Sequence, residues 1–259
     1  MKKTYSLVLP YKKIAPVLLV CTCILVLASV FCSYYYNYLG VNSVYAAFFT
    51  KLFDLNTEGN IPTLFSTLLL LGAALLLGLK HIKAATYGDS NKRYWLFLSL
   101  VFVFLALDES LQIHEKVTNI INLIGKSGGV TMITERPPYL RYAWVLPYMV
   151  ILVFLTIFLY RFVFQLDTKT RFLFILGGSI FVFGAIGLEL FEAYFDATLG
   201  KNFYTVILYT IEEACEMIGV IIFLHALLAL LAESKETVEV DFVTHFKEDV
   251  KHVRGDHVV

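Results

Sequence analysis

ELFEAYFDATLGKNFYTVILYTIEEACEMI, residues 189–218, sets carboxylates inside two apolar segments joined by a short turn. Glu189, Glu192 and Asp196 lie on the first segment, and Glu212, Glu213 and Glu216 on the second. An ionised carboxylate at the centre of a bilayer costs roughly 2.5–3.5 kcal/mol on insertion scales. Such groups therefore face a protein interior, pair, take up a proton or hold a cation. Two adjacent helices this rich in acid cannot both show their charged faces to lipid. The stretch thus predicts a helical membrane bundle with a polar site inside it.

The whole chain agrees with that class. Of its 259 residues 58% are hydrophobic, and the mean hydropathy is +0.72, well above a soluble domain. Formal net charge is zero, so no basic field points to nucleic acid. Cys21, Cys23, Cys32 and Cys215 sit in or beside apolar runs without metal-type spacing and read as packing residues. MKKTYSLVLPYKK followed by a long apolar run resembles a signal peptide, but no small-residue cleavage site precedes Tyr34, Tyr35, Tyr36 and Tyr38. A retained signal-anchor helix is expected.

Apolar runs near 20 residues predict an all-α, polytopic membrane protein, a six-transmembrane-helix bundle with spans 14–35, 62–80, 94–118, 142–163, 171–195 and 205–231. Three parts follow: a cytoplasmic N-terminal segment 1–13, the transmembrane domain 14–231 and a charged cytoplasmic tail 232–259. The N-terminus and the 2–3 and 4–5 connections carry eleven Lys and Arg, against six in the opposite connections. By the positive-inside rule the N-terminus and C-terminus are both cytoplasmic, in a multi-pass plasma (inner) membrane protein. The other connections, about 36–61 and 119–141, hold FDLNTEGNIPTLFS, GKSGG and ERPPY, which read as loops. Pro62 begins the second span and Asn60 is placed to cap it.

Orientation gathers the acids. Asp108, Glu109, His114 and Glu115 fall at the outer end of the third span, Glu189 and Glu192 near the outer end of the fifth, and Glu212, Glu213 and Glu216 in the outer half of the sixth. At about 100° per residue, Glu189, Glu192 and Asp196 share one face, as do Thr205, Tyr209, Glu212 and Glu216. Asp108, Gln112 and Glu115 share another, which leaves Glu109 and His114 on opposite sides of it. Gly184, Gly187 and Gly219 would admit close helix approach. The inner half is nearly blank, with TLLLLGAALLLGL, WLFLSLVFVFLAL and VIIFLHALLALL interrupted by little beyond Ser99, Ser179 and His225.

So many acids cannot all be ionised and unpaired in one place. Few cations lie near, so a divalent metal ion is expected, with Asp108, Glu115, Glu189, Glu192, Glu212, Glu213 and Glu216 as candidate ligands. Oxygen donors with at most one imidazole suit Mg²⁺, Ca²⁺, Mn²⁺ or iron better than zinc. Bundles that hold two metals on inward carboxylates pair Glu-x-x-His motifs. Glu189-x-x-Glu192 and Glu213-x-x-Glu216 match that only in part, so the comparison stays an analogy.

Glu109 and His114 are the candidate catalytic proton carriers. Plainer readings apply elsewhere: Glu115 pairing with Lys116 or a loop arginine, Asp196 facing water, Asp54 and Glu58 as loop charges, His225 as a packed residue. The expected function is a metal-dependent hydrolase or transferase acting on a lipid or other small amphiphile, with di-metal redox chemistry as its variant. The rival is a proton- or divalent-cation-coupled transporter, which the blank inner half disfavours. A scaffold acting through its charged tail would leave the acids unexplained.

Overall fold

The computed structural model describes residues 11–37, 39–40, 43–128, 137, 141–200 and 202–233, and among these it is entirely helical. Most of the predicted N-terminal segment and tail falls outside the described residues. Among the described residues six helical stretches are long and apolar enough to cross a membrane. In chain order the helices are α1 (Tyr11–Asn37), α2 (Val44–Phe53), α3 (Ile61–Thr86), α4 (Lys92–Leu111), α5 (Ile113–Gly128) and α6 (Val145–Gln165). They are followed by α7 (Thr168–Val182), a π-helical turn (Phe183–Leu188), α8 (Glu189–Leu199) and α9 (Phe203–Glu233). The π turn and α8 continue α7, so these three make the fifth long stretch.

Helix α9 is the axis of the bundle. Its Met217, Ile221 and Leu227 are almost fully buried, and it packs on α1, α3, α7, the π turn and α8. Between apolar helices in a bilayer, small residues bring backbones close enough for dense packing. An added Cβ at Gly177 would stand 2.8 Å from the Gly219 carbonyl oxygen, one at Gly219 2.7 Å from the Gly177 oxygen, and one at Gly184 2.8 Å from the Glu212 oxygen. The expectation for Gly184 and Gly219 is met. Gly187 differs, because its nearest neighbour is Phe183, four residues back on its own helix.

Helix starts follow ordinary capping chemistry. The Asn60 side chain accepts from Thr63 N at 3.2 Å and Pro62 occupies the first turn of α3. Asp167 accepts from the Lys169 and Thr170 amides at the start of α7, at 3.1 and 3.0 Å. These bonds hold its carboxyl below the usual carboxylate range, the Thr170 side chain contributing most.

Three departures from the sequence reading matter for the site. The third span ends at Leu111 instead of running to 118, because Gln112 turns left-handed at φ +55°. The predicted loop 119–141 begins as helix, α5 continuing to Gly128. Within the predicted loop 36–61, α2 forms a separate short helix, capped by Ser43. All three lie at the acid-rich end of the bundle.

Candidate functional site

The break at Gln112 builds the first half of the site. With α4 ended, the chain folds back so that the His114 amide donates to Asp108 Oδ1 at 2.8 Å, and His114 Nδ1 lies 3.4 Å from Asp108 Oδ2. Asp108 therefore supplies an acceptor to an N–H that the interrupted helix would leave bare. Asp108, Gln112 and Glu115 do not form the shared face expected of one continuous helix. Nor are Glu109 and His114 parted as that helix would require, since both line one cavity and Glu109 feels the charge of His114. Tyr148 of α6 donates to Asp108 Oδ1 at 3.1 Å, which ties α6 to the break.

The loop after α2 brings in an acid that the sequence reading set aside. Glu58 Oε1 lies 3.5 Å from His114 Nε2, and its Oε2 is buried without a hydrogen-bond partner. Burial pushes the Glu58 carboxyl up to about 7; His114 opposes this, while Glu109, Glu115 and Asp108 add to it. His114 shows the reverse balance. Burial works against its charge, but the hydrogen bond and negative charge of Asp108, with Glu58 and Glu189 beyond, hold the ring up to about 9. The loop is itself anchored, because Leu55 N donates to Ser29 on α1 at 3.1 Å. Oxygen or nitrogen atoms of Glu58, His114 and Glu115 lie within 4.8 Å of one another.

The second half comes from α8 and α9. One carboxylate oxygen each from Glu189, Glu192 and Glu212 lies within 4.8 Å of the others. Glu192 and Glu212 are buried. Glu189 and Glu212 share a side-chain hydrogen bond, which between two carboxyls requires one proton. Glu212 Oε2 is buried and has no partner. A buried acceptor left unpaired costs about 1–3 kcal/mol or more, and a cation at this point would remove that cost. Opposite oxygens around Ca²⁺, at about 2.3–2.6 Å each, lie as much as about 5 Å apart. Three carboxylate oxygens this near one another fall within the reach of such an ion.

Trp144 joins the halves. Its amide donates to Thr118 on α5 at 3.2 Å, its indole Nε1 to Glu189 at 3.3 Å, and its ring lies 5.1 Å from that of His114. Asp196, at the far edge, pairs with Arg141 at 2.7 Å instead of simply facing water. Burial raises the Tyr142 phenol above its ordinary range, and Glu192, Glu189 and Asp196 raise it further, so it stays protonated beside them. Glu109 is hydrogen-bonded to Ser66 of α3, and its charge reaches Glu213 and Glu216, so these acids form an inner layer. The other plain readings divide. The Lys116 ammonium turns to the Leu111 carbonyl, leaving Glu115 to the His114 group. His225 lies 6.3 Å from the Tyr11 ring, away from the acids.

All nine predicted site residues line one cavity of about 1750 Å³. Glu58, Trp144, Tyr142 and Tyr148 line it too, and sequence periodicity gave no sign of them. Glu58 sits in a loop where no helical repeat applies. The aromatic residues carry no charge that would mark them in an apolar segment. No curated protein and no solved structure matches the chain. Residues 17–231 match the family described as Domain of unknown function (DUF8692), and the chain belongs to that family.

Proposed function

We propose that this protein is a multi-pass membrane protein holding a divalent cation on Glu189, Glu192 and Glu212, at the extracytoplasmic end of the bundle. The cation serves metal-assisted hydrolysis or transfer on a lipid or other amphiphile. One observation carries the reading: a buried carboxylate, Glu212, keeps an unpartnered oxygen among two further acids on a cavity wall. The oxygen-only trio favours Ca²⁺, Mn²⁺, Mg²⁺ or iron over zinc. Asp108, Glu115, Glu213 and Glu216 stand around the trio as further ligands or acceptors. A bound cation polarises a substrate oxygen or lowers the pKa of bound water.

His114, cationic between Asp108 and Glu58, is suited to donate a proton to a leaving group, and Glu109 to accept one. The Lys and Arg balance supports cytoplasmic termini, with the acids on the far side of the membrane.

The rival, a cation-coupled transporter, needs a polar route beyond the acids. Past Glu216, which lies level with Gly184, the cavity walls are almost wholly apolar, with Thr156, Tyr160 and Ser179 the exceptions. Mass spectrometry of detergent-purified protein tests the reading, with the wild type compared with Glu189→Gln and Glu216→Gln. Stoichiometric metal in the wild type, lost in both variants, is the expected result. Proteoliposomes then decide between the two functions: no cation flux is expected, and cation-dependent flux would favour the transporter.

A further inference from the structure

The cavity does not end at the carboxylates. It follows α7 from Glu189 past Val182 and Gly178 to Phe174, and α6 from Trp144 past Leu155 to Val163. Fifteen residues of helix separate Glu189 from Phe174, about 22 Å at a rise of 1.5 Å per residue. That exceeds half of a hydrocarbon core about 30 Å thick.

Its far end is closed by rings. Phe162 lies 5.0 Å from Tyr94 and 4.8 Å from Trp95, and Phe174 lies 6.2 Å from Trp95. The side is open. Ile151, Tyr160 and Phe164 on α6 and Ile175 on α7 all line the cavity and are all exposed. The two helices meet at the short Leu166–Asp167 turn and stand apart toward the acids.

We propose that this groove seats one long hydrocarbon chain of a membrane lipid, which enters sideways between α6 and α7 with its head group at the carboxylate centre. Three features select that occupant. The groove is polar at one end and apolar along the rest, the polarity of an amphiphile. Its volume is well above the roughly 300–1,000 Å³ of a pocket for a drug-sized molecule. Apolar cavities stay dry, so an apolar slot open toward acyl chains fills with a chain, and its length matches an extended one. The inference names the substrate class of the metal centre and rests on that reading for the head-group end alone.

Gly178 provides the test. It lines the groove, and a Cβ there would meet nothing within 4 Å. A chain reaching from the acids to Phe174 must pass it. The full chain has two tryptophans, and Trp95 is buried behind Phe174 at 2% exposure. With Trp144→Phe, Trp95 becomes the sole emitter. This protein is reconstituted in vesicles of equal parts dibromostearoyl phosphatidylcholine and dibromostearoyl phosphatidylglycerol, with unbrominated vesicles as reference. Bromine quenching of Trp95 is expected, kept by Gly178→Ala and mostly lost in Gly178→Phe. Ala185→Phe, nearer the acids, is a second plug should the first fail to fold.

Absent quenching, or quenching equal in the plugged and open chains, would overturn the groove. Metal content measured on the wild-type chain separates the two claims. Metal with no Gly178-dependent quenching leaves the metal centre and sinks the groove. Gly178-dependent quenching without metal supports the groove and sinks the metal centre.

Discussion

At the scale of single residues, charge alone was a good guide and charge with position a better one. Glu189, Glu192 and Glu212 were legible because an acid inside an apolar helix has few cheap surroundings. Glu58 was not, since a loop acid near water needs no explanation; only the fold of the loop sets it against His114. His114 gives a prediction of its own. In metal-free protein its ring should remain cationic at neutral pH, with nuclear magnetic resonance signals that titrate near 9. A titration below neutrality would mean that Asp108 and Glu58 do not enclose it.

Asp167, away from the acids, tests ordinary capping. Replacing it with Ala should lower stability by about 1 kcal/mol, and Asn should retain most of that. Its folded pKa is depressed, so the stabilisation is present above the ordinary Asp range and fades as pH falls through the folded value. Denaturation of Asp167→Ala and wild type should therefore converge in acid.

Among the elements, the six long stretches were readable because about 20 apolar residues have little other use. Their interruptions were not. No residue type around Gln112 demands a left-handed turn, and a helix-period pattern runs straight through it. Non-Gly residues pay roughly 1–2 kcal/mol in that conformation, so Gln112→Gly should raise the melting temperature, and Gln112→Val should lower it.

The π turn Phe183–Leu188 was equally invisible, although Gly184 within it was marked as a point of approach. Because a Cβ added at Gly219 would stand 2.7 Å from the Gly177 oxygen, Gly219→Ala must part α7 from α9. A loss of about 1–3 kcal/mol is expected, whereas Gly178→Ala should cost nothing, as read by thermal melts in detergent. Equal effects from both would show that α7 and α9 are not packed as described.

For the molecule as a whole, fold class followed from composition and the gathering of acids from helix order combined with charge bias. Neither revealed the long cavity, whose existence depends on α6 standing apart from α7 beyond the turn that joins them. The orientation is testable directly. In a chain stripped of its native cysteines, Asn56→Cys at the acid end should react with an impermeant maleimide added outside intact cells, and Gly88→Cys only after permeabilisation. The reverse pattern would turn the site toward the cytoplasm.

The central claim is that the Glu189, Glu192 and Glu212 carboxylates take up a divalent cation. A ligand at about 100 times its Kd stabilises the folded state by about 2.7 kcal/mol. The most direct measurement is thermal unfolding of chelator-stripped protein titrated with Ca²⁺, Mn²⁺, Mg²⁺ and Fe²⁺, for wild type and Glu212→Gln. A saturable rise with at least one ion, abolished in Glu212→Gln, is the predicted result. No rise with any of the four, or an equal rise in the variant, would contradict it.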